Sequence, residues 1–377
     1  MSEARDTAMA ALMARAAPGR AAVEDLVVVP VFAVAVALLL GALTMLATGV
    51  DLPTIGRSYV ALAVGSVGSL NALSETLTAA VPLVLAGLGL ALGFRAGLFN
   101  IGAEGQVLMG GMAAVALGIA WPGGPALMLV PGCLLAGALA GALYAGIAGW
   151  LRVATGAHEV ISTIMLNLIA YRLVDYMLRQ PFFQREGRAD PISRSVPDAA
   201  ELPRLLSGLD ANLRVHAGIF VALGAVALAQ WLLFRTRLGF EFRASGENPD
   251  AARYAGIRAG VVIVVAMALA GALAGLAGAN QVTGVLGRAS PGFSAGIGFD
   301  AIAVALLGRS HPWGVLVAAL LFGALEAGGR QMQVDAGVSI DLIAIIQALI
   351  IVFIAAPLLV RALFPWGFSR GRTGGGA

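Results

Sequence analysis

Lysine is missing from this sequence, and charged residues of any kind are few. All 24 basic residues among the 377 are arginines, and charged residues make up 12% of the chain, whereas soluble domains carry roughly 25%. Without lysine, a phosphate-binding loop that ends in Gly-Lys-Ser/Thr is excluded. If ATP powers this protein, a different chain must hydrolyse it.

Cysteine and histidine are also too scarce for the usual catalytic and metal sites. Cys133 is the one cysteine and lies in an apolar stretch, which excludes a disulfide framework or a cysteine metal cluster. His158-Glu159 begins like a zinc-protease motif, but the second histidine is missing. We therefore expect no catalytic residue and no metal ligand. The net charge of +3 is too small to suggest a nucleic-acid partner.

What the sequence does contain is long apolar runs. Apolar residues make up 59% of the chain, and uncharged runs extend from Leu26 to Val50, from Gly105 to Leu151 and from Ala259 to Gly287. A helix crosses a bilayer core with roughly 20 apolar residues, and the prolines and glycines of 121–125 divide the second run into two spans. These runs predict an all-α fold, a polytopic bundle of helices in a lipid bilayer.

Counting uncharged segments between charged positions gives about ten candidate spans. They cover residues 27–48, 77–94, 99–119, 126–150, 159–179, 216–234, 259–281, 293–308, 313–329 and 340–361. An alternative has eight spans, with a segment near 96–110 or 293–308 entering the membrane without crossing it. Spans 2–5 and 7–10 would run with opposite polarity, as in the inverted repeats of transporters, but the letters alone do not establish a repeat.

Arginine positions orient the bundle, because cytoplasmic loops are enriched in basic residues. With both termini in the cytoplasm, a segment 1–26 precedes the membrane domain 27–361 and a tail 362–377 follows it. The arginine-rich segment 236–258 then lies inside. The loop 180–214, whose charges nearly balance, lies outside, where it could cap a pathway or meet an external partner.

Polar residues inside the spans are the candidate pathway. A charged group at the bilayer centre costs several kcal/mol, so such residues face the protein interior or water. Four polar residues of the fifth span lie on one helical face, which makes this stripe the strongest pathway signal in the chain. They are Glu159, Ser162, Thr163 and Asn167.

A second polar stretch contains Asn100, Glu104 and Gln106. Two interpretations stay open, because Glu104 can pair with Arg95 near the membrane surface or the three polar residues can line an aqueous path. Farther along, Asp300 lies beside glycines, which predicts a broken helix that lines a cavity or is buried in protein.

The cytoplasmic segment 236–258 is predicted to be helical rather than a solvated linker. Asn248-Pro249 is a strong helix start, because proline is favoured in the first helical turn. Apolar residues between 251 and 257 recur at near-helical spacing. We therefore interpret this segment as a docking surface.

Four blocks give the chain a resemblance to a known family. They are Leu98-Phe-Asn-Ile-Gly-Ala-Glu-Gly-Gln106, Glu159-Val-Ile-Ser-Thr-Ile-Met-Leu-Asn167, Gly246-Glu-Asn-Pro-Asp-Ala-Ala-Arg-Tyr-Ala-Gly-Ile257 and Gly298-Phe-Asp-Ala-Ile-Ala-Val-Ala-Leu-Leu-Gly308. With them the chain resembles the permease subunit of bacterial ABC importers of the branched-chain-amino-acid/ribose type. The resemblance is strongest to the branch for nucleosides and simple sugars.

The resemblance implies a fold related to the ten-span importers of the bacterial cytoplasmic membrane. It implies a second, homologous permease subunit, usually a different protein, and an ABC ATPase subunit pair that binds ATP and Mg²⁺ on the cytoplasmic side. An extracytoplasmic substrate-binding lipoprotein would deliver the solute. No cofactor is expected in this chain itself.

The resemblance also assigns site residues. The third block corresponds to the segment that contacts the ATPase, with the residues Gly246, Glu247, Asn248, Pro249, Ala252, Arg253, Tyr254 and Gly256. The hydroxyls and base edges of nucleosides require polar partners. The candidate translocation path is Asn100, Glu104, Gln106, Glu159, Ser162, Thr163, Asn167 and Asp300.

Three other functions are weighed against nucleoside import. A permease for ribose-like sugars fits the same polar stripe. An ion-coupled secondary transporter would use Glu104 and Asp300 as proton or sodium sites. An intramembrane enzyme is disfavoured, because no set of histidine, cysteine and metal ligands is assembled.

Overall fold

The computed structural model describes residues 29–339 and 341–355, which are helical apart from loops and two isolated β-bridges. In chain order the helices are α1 (Val29–Ala47), α2 (Leu52–Val67), α3 (Leu70–Arg95), α4 (Ala103–Ala120), α5 (Ala126–Thr155), α6 (Glu159–Leu178), α7 (Gly218–Arg235), α8 (Arg237–Glu247), α9 (Pro249–Tyr254), α10 (Ala259–Gln281), α11 (Ile297–Leu307), α12 (Pro312–Ala336) and α13 (Asp341–Ala355). A π-helical turn, Val282–Leu286, extends α10. The predicted all-α bundle is confirmed. The predicted segments 1–26 and 362–377 lie outside the described residues.

Within the described residues, seven helices are long and apolar enough to cross a membrane. They are α3, α4, α5, α6, α7, α10 with its π-turn, and α12. By contrast, α11 has 11 residues and is about 16 Å long at 1.5 Å per residue, too short for a core of about 30 Å. Of the two alternatives for 293–308, the re-entrant segment therefore fits. None of the ten predicted spans covers α2, because Arg57 interrupts its uncharged pattern and Asp51 precedes it.

The described residues form two compact units. In the first, which contains residues 29–57 and 338–355, α1 packs against α13 through Val36, Leu40 and Phe353. The second unit, Ser58–Gly337, contains α2 from Ser58 onward, the helices α3 to α12 and every predicted site residue.

Glycines form the contact surface between α4, α5 and α10 in the second unit. A Cβ atom added at Gly275 would overlap the carbonyl oxygen of Gly137, and one at Gly278 would overlap that of Val107. Small residues allow helix backbones to approach this closely in a membrane. The glycine-bearing faces therefore pack these three helices together.

The two hydrophilic segments lie at opposite ends of α7. Residues 180–217 precede this 18-residue helix and 236–258 follow it. The second end also contains the end of α3, because Arg95 donates a hydrogen bond to the carbonyl oxygen of Ser310 at 3.0 Å and both residues line a pocket with Arg243 of α8. We call this the α8 end, and the other the loop end.

The loop 180–214 covers the π-turn at the loop end. The N–H of Val196 donates to the carbonyl oxygen of Gly287 at 2.8 Å, and the N–H of Leu202 donates to that of Thr283 at 2.9 Å. These two hydrogen bonds attach the loop to the end of α10. Within the loop itself, a hydrogen bond from Arg188 lowers the pKa of the Asp190 carboxyl.

Candidate functional site

The chain between α3 and α4 leaves helical geometry and is held by the polar stripe of α6. The Nδ2 of Asn167 donates to the carbonyl oxygen of Ile101 at 2.9 Å, and its Oδ1 accepts from the N–H of Gly105 at 2.8 Å. At the first residue of α6, the Oε1 of Glu159 accepts from the N–H of Phe99 at 3.3 Å. The stripe therefore supplies partners to backbone groups that the break in the helix leaves free.

The other members of the stripe make local contacts. The second carboxyl oxygen of Glu159 forms an ion pair with Arg152 at the end of α5. The Oγ of Ser162 donates to the carbonyl oxygen of Glu159 at 3.2 Å, and the Oγ1 of Thr163 donates to that of Val160 at 3.1 Å. The stripe faces the protein interior as predicted, except that Ser162 is only half-buried.

Asn100 and Gln106 form a reciprocal amide pair. Each side chain donates to the oxygen of the other at 3.0 Å. The Oδ1 of Asn100 also accepts from the N–H of Gly102 at 2.9 Å, just before α4 begins. Both amides are buried, and together they fix the entry of the chain into α4.

The Glu104 side chain is fully buried and joins three parts of the bundle. Its Oε1 accepts from the hydroxyl of Tyr171 on α6 at 3.0 Å and from the hydroxyl of Ser294. Its Oε2 accepts from the N–H of Gly298 on α11 at 2.8 Å. We call Glu104 with these three donors the Glu104 cluster.

The interpretation in which Glu104 pairs with Arg95 is wrong. Arg95 instead donates to the carbonyl oxygens of Ser310 at 3.0 Å and Arg309 at 3.4 Å, at the α8 end. Because the chain turns into the bundle after α3, Glu104 lies deeper, at the level of Tyr171. Tyr171 on α6 is one of the actual partners of Glu104.

Glu104 acts as a helix cap supplied from another helix. Gly298 is the second residue of α11, and the first N–H groups of a helix have no partner within it. The carboxyl group supplies one, and its charge suits the positive end of the helix dipole. The predicted broken helix around Asp300 is confirmed, because α10 and its π-turn end before α11 starts.

Six of the eight predicted path residues are buried, and only Ser162 and Asp300 are half-exposed. The six buried ones are Asn100, Glu104, Gln106, Glu159, Thr163 and Asn167. Each has a polar partner within this chain in the conformation described. Their contact with a transported solute stays a prediction, while their bracing of α4, α6 and α11 is visible in the geometry.

An ion-pair network lies at the loop end. Arg330 pairs with Glu326 one turn earlier, as i,i+4 spacing permits, and with Glu75 of α3 at 3.3 Å. Arg214 pairs with Glu75 at 3.2 Å. The other two members, Glu75 on α3 and Arg214 before α7, could not be inferred from helical spacing.

Sequence reasoning also missed His216 and Asn280, two buried polar residues near the loop end. Asn280 follows the apolar run of α10, and His216 lies two residues before the start of α7. A polar residue inside a predicted span was the signal that could have identified Asn280.

The segment 236–258 is helical, as predicted, and contains α8 and α9. The Oδ1 of Asn248 caps α9 by accepting from the N–H groups of Asp250 at 3.1 Å and Ala251 at 3.0 Å. Asn248 is thus a regular N-cap. The side chains of Arg253 and Tyr254 on α9 are exposed, the latter by 94%.

Two glycines bring α8 into direct contact with the break after α3. A Cβ atom added at Gly246 would overlap the carbonyl oxygen of Arg95, and one added at Gly97 would lie 3.1 Å from the Cα of Gly246. The contact is therefore backbone against backbone. Beside it, a pocket of about 480 Å³ is lined by residues that include Arg95, Arg243 and Arg309.

A family described as the permease component of the branched-chain amino acid transport system matches residues 72–355. The Glucose ABC transporter permease protein TsgB13 of Haloferax volcanii is 40% identical, over 86% of this chain and 86% of its own. The Guanosine ABC transporter permease protein NupP of Bacillus subtilis is 38% identical, over 88% and 94%. The Nucleoside ABC transporter permease protein NupB of Lactococcus lactis subsp. cremoris is 36% identical, over 90% and 93%.

The two bacteria that carry NupP and NupB each carry a second, more distant relative of this chain. These are the permease proteins NupQ, 28% identical, and NupC, 30% identical. No solved structure gives a match to this chain.

Proposed function

Because this chain belongs to the family of the permease component of the branched-chain amino acid transport system, we propose that it forms half of the membrane channel of an ATP-driven importer for nucleosides. It is a transport subunit and not an enzyme. The observation that carries the proposal is the exposed α8–α9 segment, which contacts the break between α3 and α4 through backbone atoms. A partner bound there can act directly on the polar centre of the bundle.

The partner proposed for α8–α9 is an ABC ATPase subunit on the cytoplasmic side. The contact residues would be Gly246, Glu247, Asn248, Pro249, Ala252, Arg253, Tyr254 and Gly256, most of which are exposed. ATP-driven closure of the ATPase pair would move this segment. The movement would tilt the helices that meet at the Glu104 cluster, so that the path opens first to the outside and then to the inside.

The other partners follow from the same family. NupP and NupQ, and likewise NupB and NupC, are named as permease proteins of one organism each. This pairing supports a heterodimer with a second permease in the bacterial cytoplasmic membrane. An extracytoplasmic binding lipoprotein would dock at the loop end.

Two variants of the complete transporter test the coupling proposal. Asn248→Ala removes the cap of α9, and Arg253→Glu reverses an exposed charge of the contact surface. Solute uptake and the stimulation of ATP hydrolysis by the loaded binding protein should each fall at least about tenfold, as for loss of an interface residue worth over 1.4 kcal/mol. Arg237→Ala, which removes an exposed arginine of α8 outside the eight contact residues, is the control. Normal uptake and normal stimulation in both variants would exclude this docking surface.

The solute is proposed from the names of two relatives, NupP and NupB, while TsgB13 supports the alternative of a sugar. The test is competition for uptake of labelled uridine by cells that express the complete transporter. Excess guanosine should abolish uptake, and excess glucose or ribose should leave it unchanged. Uptake of labelled sugar, insensitive to nucleosides, would establish the alternative instead.

A further inference from the structure

His216 and Asn280 are buried polar side chains whose hydrogen-bonding groups are left without partners. Their exposed fractions are 1% and 0%. The Nε2 of His216 and both polar atoms of the Asn280 amide make no hydrogen bond. Most buried polar groups are hydrogen-bonded, because a buried group without a partner destabilises the folded state. Three such atoms in one place require an explanation.

The hydrogen-bonding character of this pair follows from its one existing contact. The Nδ1 of His216 accepts from the N–H of Gly218 at 3.1 Å, at the start of α7. In the neutral ring the proton therefore resides on Nε2, which is a donor. The Asn280 amide offers two further donors on Nδ2 and an acceptor on Oδ1. The pair thus presents donors and an acceptor, and no charge.

The two side chains lie together against glycine backbone. A Cβ atom added at Gly218 would overlap the Nδ2 of Asn280 and would lie 2.7 Å from the Nδ1 of His216. One added at Gly284 would lie 2.6 Å from the Nε2 of His216. A side chain at either position would overlap the imidazole or the amide, so the two glycines leave the space that these side chains occupy.

The pair lies where the backbone is irregular and where the external loop is attached. The π-turn Val282–Leu286 begins two residues after Asn280, and such turns are frequent at functional sites. The N–H of Leu202, in the loop, donates to Thr283 of this turn, and Arg204 forms an isolated bridge with His216. The loop therefore covers the pair on the side from which an imported solute would arrive.

We propose that His216 and Asn280 bind the transported solute through a neutral group that both donates and accepts hydrogen bonds. A sugar hydroxyl and the edge of a nucleobase have this chemistry. The inference rests on the proposed function and assigns a binding site to it near the loop end. Access requires that the loop 180–214 and the π-turn separate, which places the contact in the outward-open state.

The test exploits the opposite consequences that Asn280→Leu has for a binding residue and for a structural one. The change replaces unpartnered polar atoms with an apolar side chain of similar size, so the permease should keep its apparent Tm or exceed it. The KM for labelled guanosine uptake by the complete transporter should rise about tenfold, as expected for the loss of two neutral hydrogen bonds. The matched control is Asn167→Leu, which loses two hydrogen bonds to backbone and should lower the apparent Tm.

A second variant, His216→Asn, provides an independent test if Asn280→Leu does not fold. An asparagine oxygen can accept from the N–H two residues later, as Nδ1 does here, so the start of α7 stays capped while the Nε2 donor is lost. We expect an unchanged Tm and a KM raised about fivefold.

Unchanged guanosine KM values in both variants would overturn the inference, and so would a lowered Tm with normal KM, which indicates a structural pair. Failure of the proposed function is distinguishable, because the wild-type transporter itself would then take up no guanosine. In that case the same variants are measured with labelled glucose, and a normal KM for glucose overturns the inference in turn.

Discussion

Two buried polar regions of the second unit differ in how many of their possible hydrogen bonds are made. At the Glu104 cluster, one carboxyl group accepts three hydrogen bonds and joins α4, α6 and α11. At the His216–Asn280 pair, a comparable set of polar atoms is equally buried, yet three of them lack partners. Burial of polar atoms therefore does not by itself separate a brace from a binding site.

The difference lies in whether the hydrogen bonds are made. A satisfied network stabilises one arrangement of helices, and its members resist replacement. An unsatisfied pair destabilises the arrangement in which it is buried, so its retention points to another state of the protein in which a partner is present. Variants of Glu104, of the Asn100–Gln106 pair and of Tyr171 test the first half of this comparison, and the Asn280 and His216 variants test the second.

The largest effect is expected for Glu104→Gln. The amide keeps the shape of the carboxyl group but presents an N–H₂ where the N–H of Gly298 or a hydroxyl donor requires an acceptor. The free energy of unfolding should fall by about 2–3 kcal/mol. The apparent Tm, measured in detergent at a fixed scan rate, should fall as a result. Glu326→Gln, at a partly exposed ion pair, should change the Tm little, and equal shifts in both variants would refute the distinction.

The Asn100–Gln106 pair should give the next effect. Either single leucine variant leaves one buried amide without its partner and should cost about 1–2 kcal/mol. The double variant removes both amides, so its cost should be at least about 1 kcal/mol below the sum of the two. A double-variant cycle on apparent unfolding free energy measures this coupling. Strict additivity would mean that the reciprocal hydrogen bonds contribute nothing.

The smallest effect is expected for Tyr171→Phe. This change removes one of three donors to Glu104 and should lower stability by about 1 kcal/mol. Tyr176→Phe, five residues later on the same helix with a largely exposed side chain, is the matched control. Thermal unfolding of the two variants side by side should show a shift for Tyr171 alone. A shift of the same size at Tyr176 would make the cluster no different from the surface.

Local sequence signals predicted much of the fold. Apolar runs located most of the long helices, and proline after Asn248 located the start of α9. The polar stripe of α6 was placed on an inward face for the same reason. Each of these signals depends on residues within a few turns of one another.

The partners in the site could not be predicted because they are distant in sequence. The donors to Glu104 lie 67, 190 and 194 residues away, and no periodicity relates positions at such separations. The missing partners of Asn280 were equally inaccessible, because a sequence shows which groups need hydrogen bonds and not which of them obtain one.

The contact between Gly97 and Gly246 has a mechanical consequence. A side chain between two helices acts as a compliant spacer, since it can change rotamer and absorb a displacement of a few tenths of an ångström. Here the backbones meet without one. A displacement of α8 is therefore transmitted directly to the backbone of the segment that leads to Glu104. The contact is therefore stiff, and inserting even a methyl group would make it less so, which would reduce the part of an α8 displacement that reaches Glu104.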